Sequence, residues 1–296
     1  MLTLLLALAL GTTPPDSFAA RVSARIAADS QAHAAVAYWR LGAGGDSLFL
    51  HDNWTFHAAS TMKVPVMIRL FQMVDAGQLS LDQRITLTNR FRSIVDGTPY
   101  ALDMADDSDS SLYAMVGQAV TVHELIRLMI VRSSNLATNT LIDLADPSKT
   151  TAAMRRLGAA HIRVLRGVED IPAYRAGLNN TVTARDLAVL MAAIAEDRAA
   201  SAASCAEMRR ILDAQEFSTE IPAGLPPGVT VAHKTGWVDG VVLHDAAIVY
   251  PAGGTPYVLV VLTGGVAETA HAQQLIASIS RIVWEHETSE APPKSP

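Results

Sequence analysis

The feature that most restricts the fold of this chain is where its extended segments fall. AAVAYWRL and SLFLHDNWTFHA, joined by the glycine-rich turn LGAGGDS, read as a hairpin toward the N-terminal side. GVTVAHKTGW, VVLHDAAIVYP and PYVLVVLTGG read as three further strands from Gly228 onward. Between them, from Ser60 to about residue 212, apolar residues recur mainly at helical spacing. FAARVSARIAAD before the hairpin and HAQQLIASISRIVWEH after the last strand are amphipathic helices. The simplest packing is an α/β (α+β) arrangement, in which the hairpin and the late strands form one antiparallel five-stranded sheet. The N- and C-terminal helices flank that sheet, and the middle of the chain forms an all-helical lobe with a cleft between the two. The expected boundaries are 20–59 with 213–290 for the discontinuous α/β domain and 60–212 for the helical one.

Composition narrows the class. Half of the 296 residues are hydrophobic and 18% are charged, which is globular, and the net charge of -6 without a basic block disfavours nucleic acid. Met1–Leu10 is almost wholly apolar but too short to span a bilayer, and Pro14-Pro15 follows. Residues 1–19 therefore read as a signal peptide, giving an exported, periplasmic or secreted protein with no stable membrane span after cleavage. The expectation extends to a monomer. Cys205, the one cysteine, lies in an alanine-rich helical segment and reads as a small buried residue.

The segment HAASTMKVPVMIRLFQMV carries the first chemical signal. Ser60 and Lys63 stand three apart ahead of an apolar run of helical period, so one helix would place both on one face near its first turn. Pro65 falls near the limit of the first turn, where a proline costs no hydrogen bond. A lysine drawn out of water has a lowered pKa and can take a serine proton. Such a pair alone arises about once by chance in a chain of this length, so its context decides.

Two further clusters supply that context. Thr121 with Glu124 forms a capping-box pattern ahead of an apolar helix, which the polar Ser133-Ser134-Asn135 interrupts. Lys234-Thr235-Gly236 lies on the first returning strand. The acidic run Asp106, Asp107, Asp109 lacks the glycine and distal glutamate of a calcium loop and reads as solvated. The histidines show no zinc-ligand spacing, so neither metal nor cofactor is expected.

With Ser60/Lys63, Ser133/Asn135 and Lys234-Thr235-Gly236 in this order, the chain resembles the serine beta-lactamase and penicillin-binding protein superfamily, specifically the class A beta-lactamase-like serine hydrolases. The resemblance spans nearly the whole chain after the leader. It implies a small-molecule beta-lactam or peptidoglycan-like substrate and a set of roles. Ser60 would be acylated, Lys63 would accept its proton, and Ser133 would pass a proton to the departing nitrogen. Asn135 would hold the substrate's side-chain amide, and Lys234 and Thr235 its carboxylate. The backbone of Ser60 and Trp237 would form the oxyanion hole, and Gly236 would let substrate approach the strand.

The chain also departs from the family pattern. Ser134 stands where class A enzymes usually carry aspartate. Counted from Arg166, the glutamate that would activate the deacylating water is Glu169, one residue late; counted from Leu178-Asn179, its position holds Arg175. Glu169 is preferred, the alternative being that it merely pairs with Arg166. The strand after Lys234 lacks the arginine that often assists carboxylate binding; His244 stands nearby, to serve there, pair with Asp245, or pack against the sheet. The activity implied is a beta-lactamase. A D-alanyl-D-alanine peptidase or esterase, or a non-catalytic penicillin-sensing module, are the other readings.

Overall fold

The structure, a computed structural model, describes residues 17–29 and 33–289. Five strands, β1 (His33–Arg40), β2 (Ser47–Leu50), β3 (Thr230–Val238), β4 (Val242–Tyr250) and β5 (Tyr257–Gly264), form an antiparallel sheet in the order β2-β1-β5-β4-β3. The helices are α1 (Phe18–Ala27), α2 (Lys63–Asp75), α3 (Val122–Val131), α4 (Asn135–Ala145), α5 (Pro147–Arg156), α6 (Ile171–Arg175), α7 (Ala184–Ala195), α8 (Ala202–Asp213) and α9 (Thr269–Ser289). The fold class is the expected one. β5 pairs with β1 on one side and β4 on the other, and so joins the early hairpin to the late strands.

The central strands are mostly apolar because both faces of the sheet are buried. Alternate residues turn to opposite sides. On one side Val36, Tyr38, Leu259 and Val261 meet Val22 of α1 and Leu275, Ile276, Ile279 and Val283 of α9. The α9 set repeats at three- and four-residue steps, which places one stripe on the sheet. On the other side Ala35, Ala37, Ala246, Ile248, Val258 and Val260 join the core of the helical part. There α7 lies directly on the sheet, and α2, apolar all round at Val64, Val66, Met67, Ile68, Leu70 and Phe71, runs through the middle. A helix buried on every side is held by packing, with each fully buried large side chain contributing about 1.5–3 kcal/mol.

Local sequence explains most boundaries, with some corrections. Thr121 accepts a hydrogen bond from the Glu124 N–H at 3.2 Å, but the Glu124 carboxylate turns to Arg127 at 2.7 and 2.8 Å, so only half of the capping box forms. A bidentate charge-assisted pair wins over the backbone N–H. The stretch after residue 160 contains the short α6, whose N-cap Asp170 accepts from Ala173 N, Ser93 Oγ and Ile94 N. The end of the expected leader overlaps α1. Ser17 caps that helix and the Phe18 ring stacks on His286, while residues 1–16 lie outside the described residues. Among the described residues no helix is long and apolar enough to cross a membrane.

Candidate active site

The loop entering α2 does not make the single helix expected from the spacing. Ala59–Met62 forms one 3-10 turn and α2 begins at Lys63, which leaves Pro65 within its first turn. Ala59 is held at φ 45°, a left-handed conformation that costs a non-glycine residue about 1–3 kcal/mol. Its N–H donates to His57 Nδ1 at 3.1 Å, and the Thr61 hydroxyl donates to Ala58 O at 2.6 Å, so the turn presenting Ser60 is braced on both sides. Burial, and then the nearby Arg166, hold the His57 pKa below its ordinary value, which suits an acceptor.

Gly236 packs closely against the serine turn. A Cβ there would lie 3.0 Å from Thr61 N and 3.1 Å from Ser60 N, so the missing side chain lets β3 press against the backbone of the serine turn. Ser60 and Trp237, on the two sides of that contact, both line the cleft. The Trp237 ring is itself 54% exposed.

Lys63 is fully buried, and its ammonium donates to Ser133 O at 2.7 Å, Asn135 Oδ1 at 3.0 Å and Ser133 Oγ at 3.1 Å. None of these bonds goes to Ser60. The lysine is turned toward the polar break between α3 and α4, where it touches Ser133 and Asn135. Desolvation brings its pKa down to about 7, against the opposing pull of Asp107 and Glu169. Ser133, at φ 57°, presents its hydroxyl to a second ammonium, Lys234 Nζ at 3.0 Å, which also donates to Thr235 O. Lys234 is likewise buried, and desolvation followed by the charge of Lys63 pushes its pKa well down.

Glu169 is brought into the same cluster. Its Oε1 accepts from Asn135 Nδ2 at 3.1 Å and its Oε2 from Asp103 N at 3.1 Å, at a backbone φ of 60°. Asn135 thus bridges Lys63 and Glu169 with the two ends of one amide. Burial raises the Glu169 pKa, so the carboxylate sits nearer the range of a usable base. Arg166 does not pair with Glu169; it donates to Leu178 O, Gly167 O and Asn179 Oδ1. Arg175 lies in the last turn of α6.

The acidic run is not simply solvated. Asp106 stays at the surface, but Asp107 is buried and its carboxylate accepts from Asn135 N, Leu136 N, Asp109 N and Tyr113 Oη at 2.9–3.0 Å. The N-terminus of α4, whose first N–H groups have no partner within the helix and carry its positive dipole end, is what draws it in. Sequence reading missed Asp107 because its partner lies 28 residues on. Ser134 meanwhile caps α4, accepting from Ala137 N at 3.3 Å. His244 is fully buried on the face shared with Phe56; its Nε2 lies 2.9 Å from His57 O and its Nδ1 3.2 Å from Thr263 N. Desolvation lowers its pKa to about 4, so it is neutral and packs against the sheet. Asp245 pairs with His233 instead.

A cleft of about 400 Å³ opens over these groups, lined in part by Ser60, Ser133, Asn135, Thr235 and Trp237. Ser60 lines it beside a hydrogen-bonded cluster of two desolvated lysines, a bridging hydroxyl and a carboxylate. No group of His, Cys, Asp or Glu among the described residues is arranged to hold a metal ion.

A mixed helical and antiparallel-sheet protein with a serine beside two buried lysines is a beta-lactamase-like serine hydrolase in its architecture. Residues 17–286 match the Beta-lactamase enzyme family, and the chain belongs to that family. It is 32% identical over 172 residues to beta-lactamase AST-1 of Nocardia asteroides, an alignment covering 57% of this chain and 56% of that one. In solved structures it resembles PBP-A, with a TM-score of 0.77 and 27% identity over 92% of this chain and 96% of that one. A beta-lactamase from Sphaerobacter thermophilus gives 0.76 and 27%, over 92% and 98%.

Proposed function

We propose that the protein is a class A-like serine beta-lactamase that opens the lactam ring through an acyl-Ser60 intermediate. The observation that carries this reading is the bridge through Asn135, which puts the Glu169 carboxylate one amide away from Lys63. Ser60 Oγ attacks the lactam carbonyl, and its proton passes to the lysine–serine pair. Ser133, touching both Lys63 and Lys234, delivers a proton to the ring nitrogen as the C–N bond breaks. Donation by the Ser60 and Trp237 backbones to the developing oxyanion would contribute about 3 kcal/mol per donor. Asn135 then holds the side-chain amide of the substrate, and Lys234 and Thr235 take its carboxylate. Glu169 activates the water that releases the acyl group. The apolar Met1–Leu10 motivates placing the protein outside the cytoplasm.

A second reading is favoured by one observation. Both oxygens of Glu169 are already engaged, by Asn135 and Asp103, and a carboxylate held this way would leave the acyl-enzyme standing. A variant of PBP-A is known as an acyl-enzyme complex with penicillin G. The chain would then act as a D-alanyl-D-alanine peptidase or esterase. Mass spectrometry over time, with penicillin added to wild type, Ser60→Ala and Glu169→Gln, separates these. An adduct that clears in wild type, is absent in Ser60→Ala and persists in Glu169→Gln supports the lactamase. One that never clears in wild type moves the protein to the second reading, and no adduct at all moves it to a non-catalytic module.

A further inference from the structure

The residues lining the cleft carry a charge pattern that the proposed reaction does not use. Those that bear charge are Asp106, Asp107 and Glu220, all acidic, while Lys63 and Lys234 lie behind the wall. Glu220 is the unusual one. It is only 3% exposed; its Oε1 accepts from Thr219 Oγ1 at 2.9 Å and Gln273 Nε2 at 3.3 Å, and its Oε2 has no partner. An ionised carboxylate with one buried oxygen that no protein group donates to is costly, so its charge is balanced against whatever enters beside it.

We propose that Glu220 discriminates among acyl donors by the charge of the end they present to Lys234 and Thr235. Donors ending in a carboxylate are bound together with a proton on Glu220, and donors with a neutral end need none. This rests on the acyl-Ser60 reading. The placement is direct: Glu220 shares the same cleft wall as Thr235, Trp237, Thr269 and Gln273, and its charge is felt by Lys234. The charged groups facing it are His233 and Lys234 from β3 and Asp245 from β4, while α9 offers the uncharged Gln273. Burial and the Asp245 carboxylate both favour its neutral form. Uptake of one solvent proton per bound carboxylate is the whole balance; no bond is made or broken. The neutral Glu220 removes a repulsion from the cleft wall and leaves the attraction of Lys234 for the carboxylate unopposed.

The test compares benzylpenicillin, which carries the carboxylate, with its methyl ester, which does not. Second-order rate constants for adduct formation on Ser60 are measured from pH 5 to 8.5 in wild type and Glu220→Gln. Titration of Lys63 acts on both probes alike and cancels in their ratio. The wild-type ratio of acid to ester should fall about tenfold as pH rises, the size expected of one charge at a few ångströms in a partly screened site. In Glu220→Gln it should stay high and flat. A flat wild-type ratio overturns the inference without any variant, and an unchanged slope in Glu220→Gln overturns it by assigning the effect to Lys234 or His233. Adducts with neither probe overturn the acyl-Ser60 reading, and this inference with it; adducts with a flat ratio overturn this inference alone.

Discussion

The two faces of the five-stranded sheet are finished in different ways. Toward α1 and α9 the face closes over an apolar stripe, and its polar side chains meet two at a time, His233 with Asp245 across adjacent strands and Arg40 of β1 with Glu287 of α9. On the opposite side, beside the outer strand β3, the polar groups come from segments far apart in the chain: Lys63 reaches Ser133 across 70 residues, and Lys234 reaches it across 101. A face that closes by periodic packing tolerates loss of one contact at a cost in stability alone. A cluster in which each group satisfies the next should lose chemistry before it loses the fold.

The largest expected effect tests the second half of that contrast. Lys63→Met should slow acylation of Ser60 by roughly 10²–10⁴-fold, the range for removing a general base, while far-UV circular dichroism stays native. Near-wild-type acylation would remove Lys63 from the proton path. In wild type the rate should rise with pH through about 7, since only the unprotonated amine accepts a proton; stopped-flow acylation across pH 5.5–9 checks this. Leu275→Ala on α9 probes the other face. It should cost about 2–5 kcal/mol in urea unfolding and leave the acylation rate constant unchanged. A comparable fall in rate would break the comparison.

Asp107→Asn tests whether the cluster acts as a unit. It removes a negative charge that holds the Lys63 pKa up and weakens the clamp on Asn135. Acylation should drop about tenfold near neutrality, and the acid limb of its pH profile should move to lower pH. A drop with an unmoved limb would leave Asp107 a loop clamp only. The smallest effect concerns His244. Its folded pKa, about 4, lies below the ordinary 6.5, so the unfolded chain takes up the proton first as pH falls. Stability should therefore be lost between pH 6.5 and 4, and His244→Gln should flatten that part of a urea-midpoint curve.

The same contrast explains what could be read from the amino acids alone. The sheet, its flanking helices and the polar break before α4 were legible because each is a local pattern: period two, period 3.6, and three polar residues between apolar runs. Ser60, Lys63, Ser133, Asn135 and Lys234 were legible as candidates because motif and order coincide, and the structure brings the last four into hydrogen-bonded contact. Asp107 and Glu220 were not, since nothing about an aspartate in an acidic loop, or a glutamate after a threonine, announces a partner on another element. Nor could spacing show that Lys63 turns to Ser133 rather than to Ser60. That choice is made by the carbonyl and amide oxygens waiting at the break between α3 and α4.

Six non-glycine residues among those described adopt positive φ, and three of them, Ala59 next to Ser60, Ser133 and Glu169, belong to the site or hold it. Each keeps a side chain where glycine would relax the backbone by about a kcal/mol or more. For anyone seeking a heat-resistant version of this protein, these are the tempting positions and the wrong ones. Relaxing them would free the serine turn, the shared hydroxyl and the carboxylate to wander from one another. Thermostabilising substitutions belong instead on the face under α1 and α9, away from the Thr269 and Gln273 end that borders the cleft.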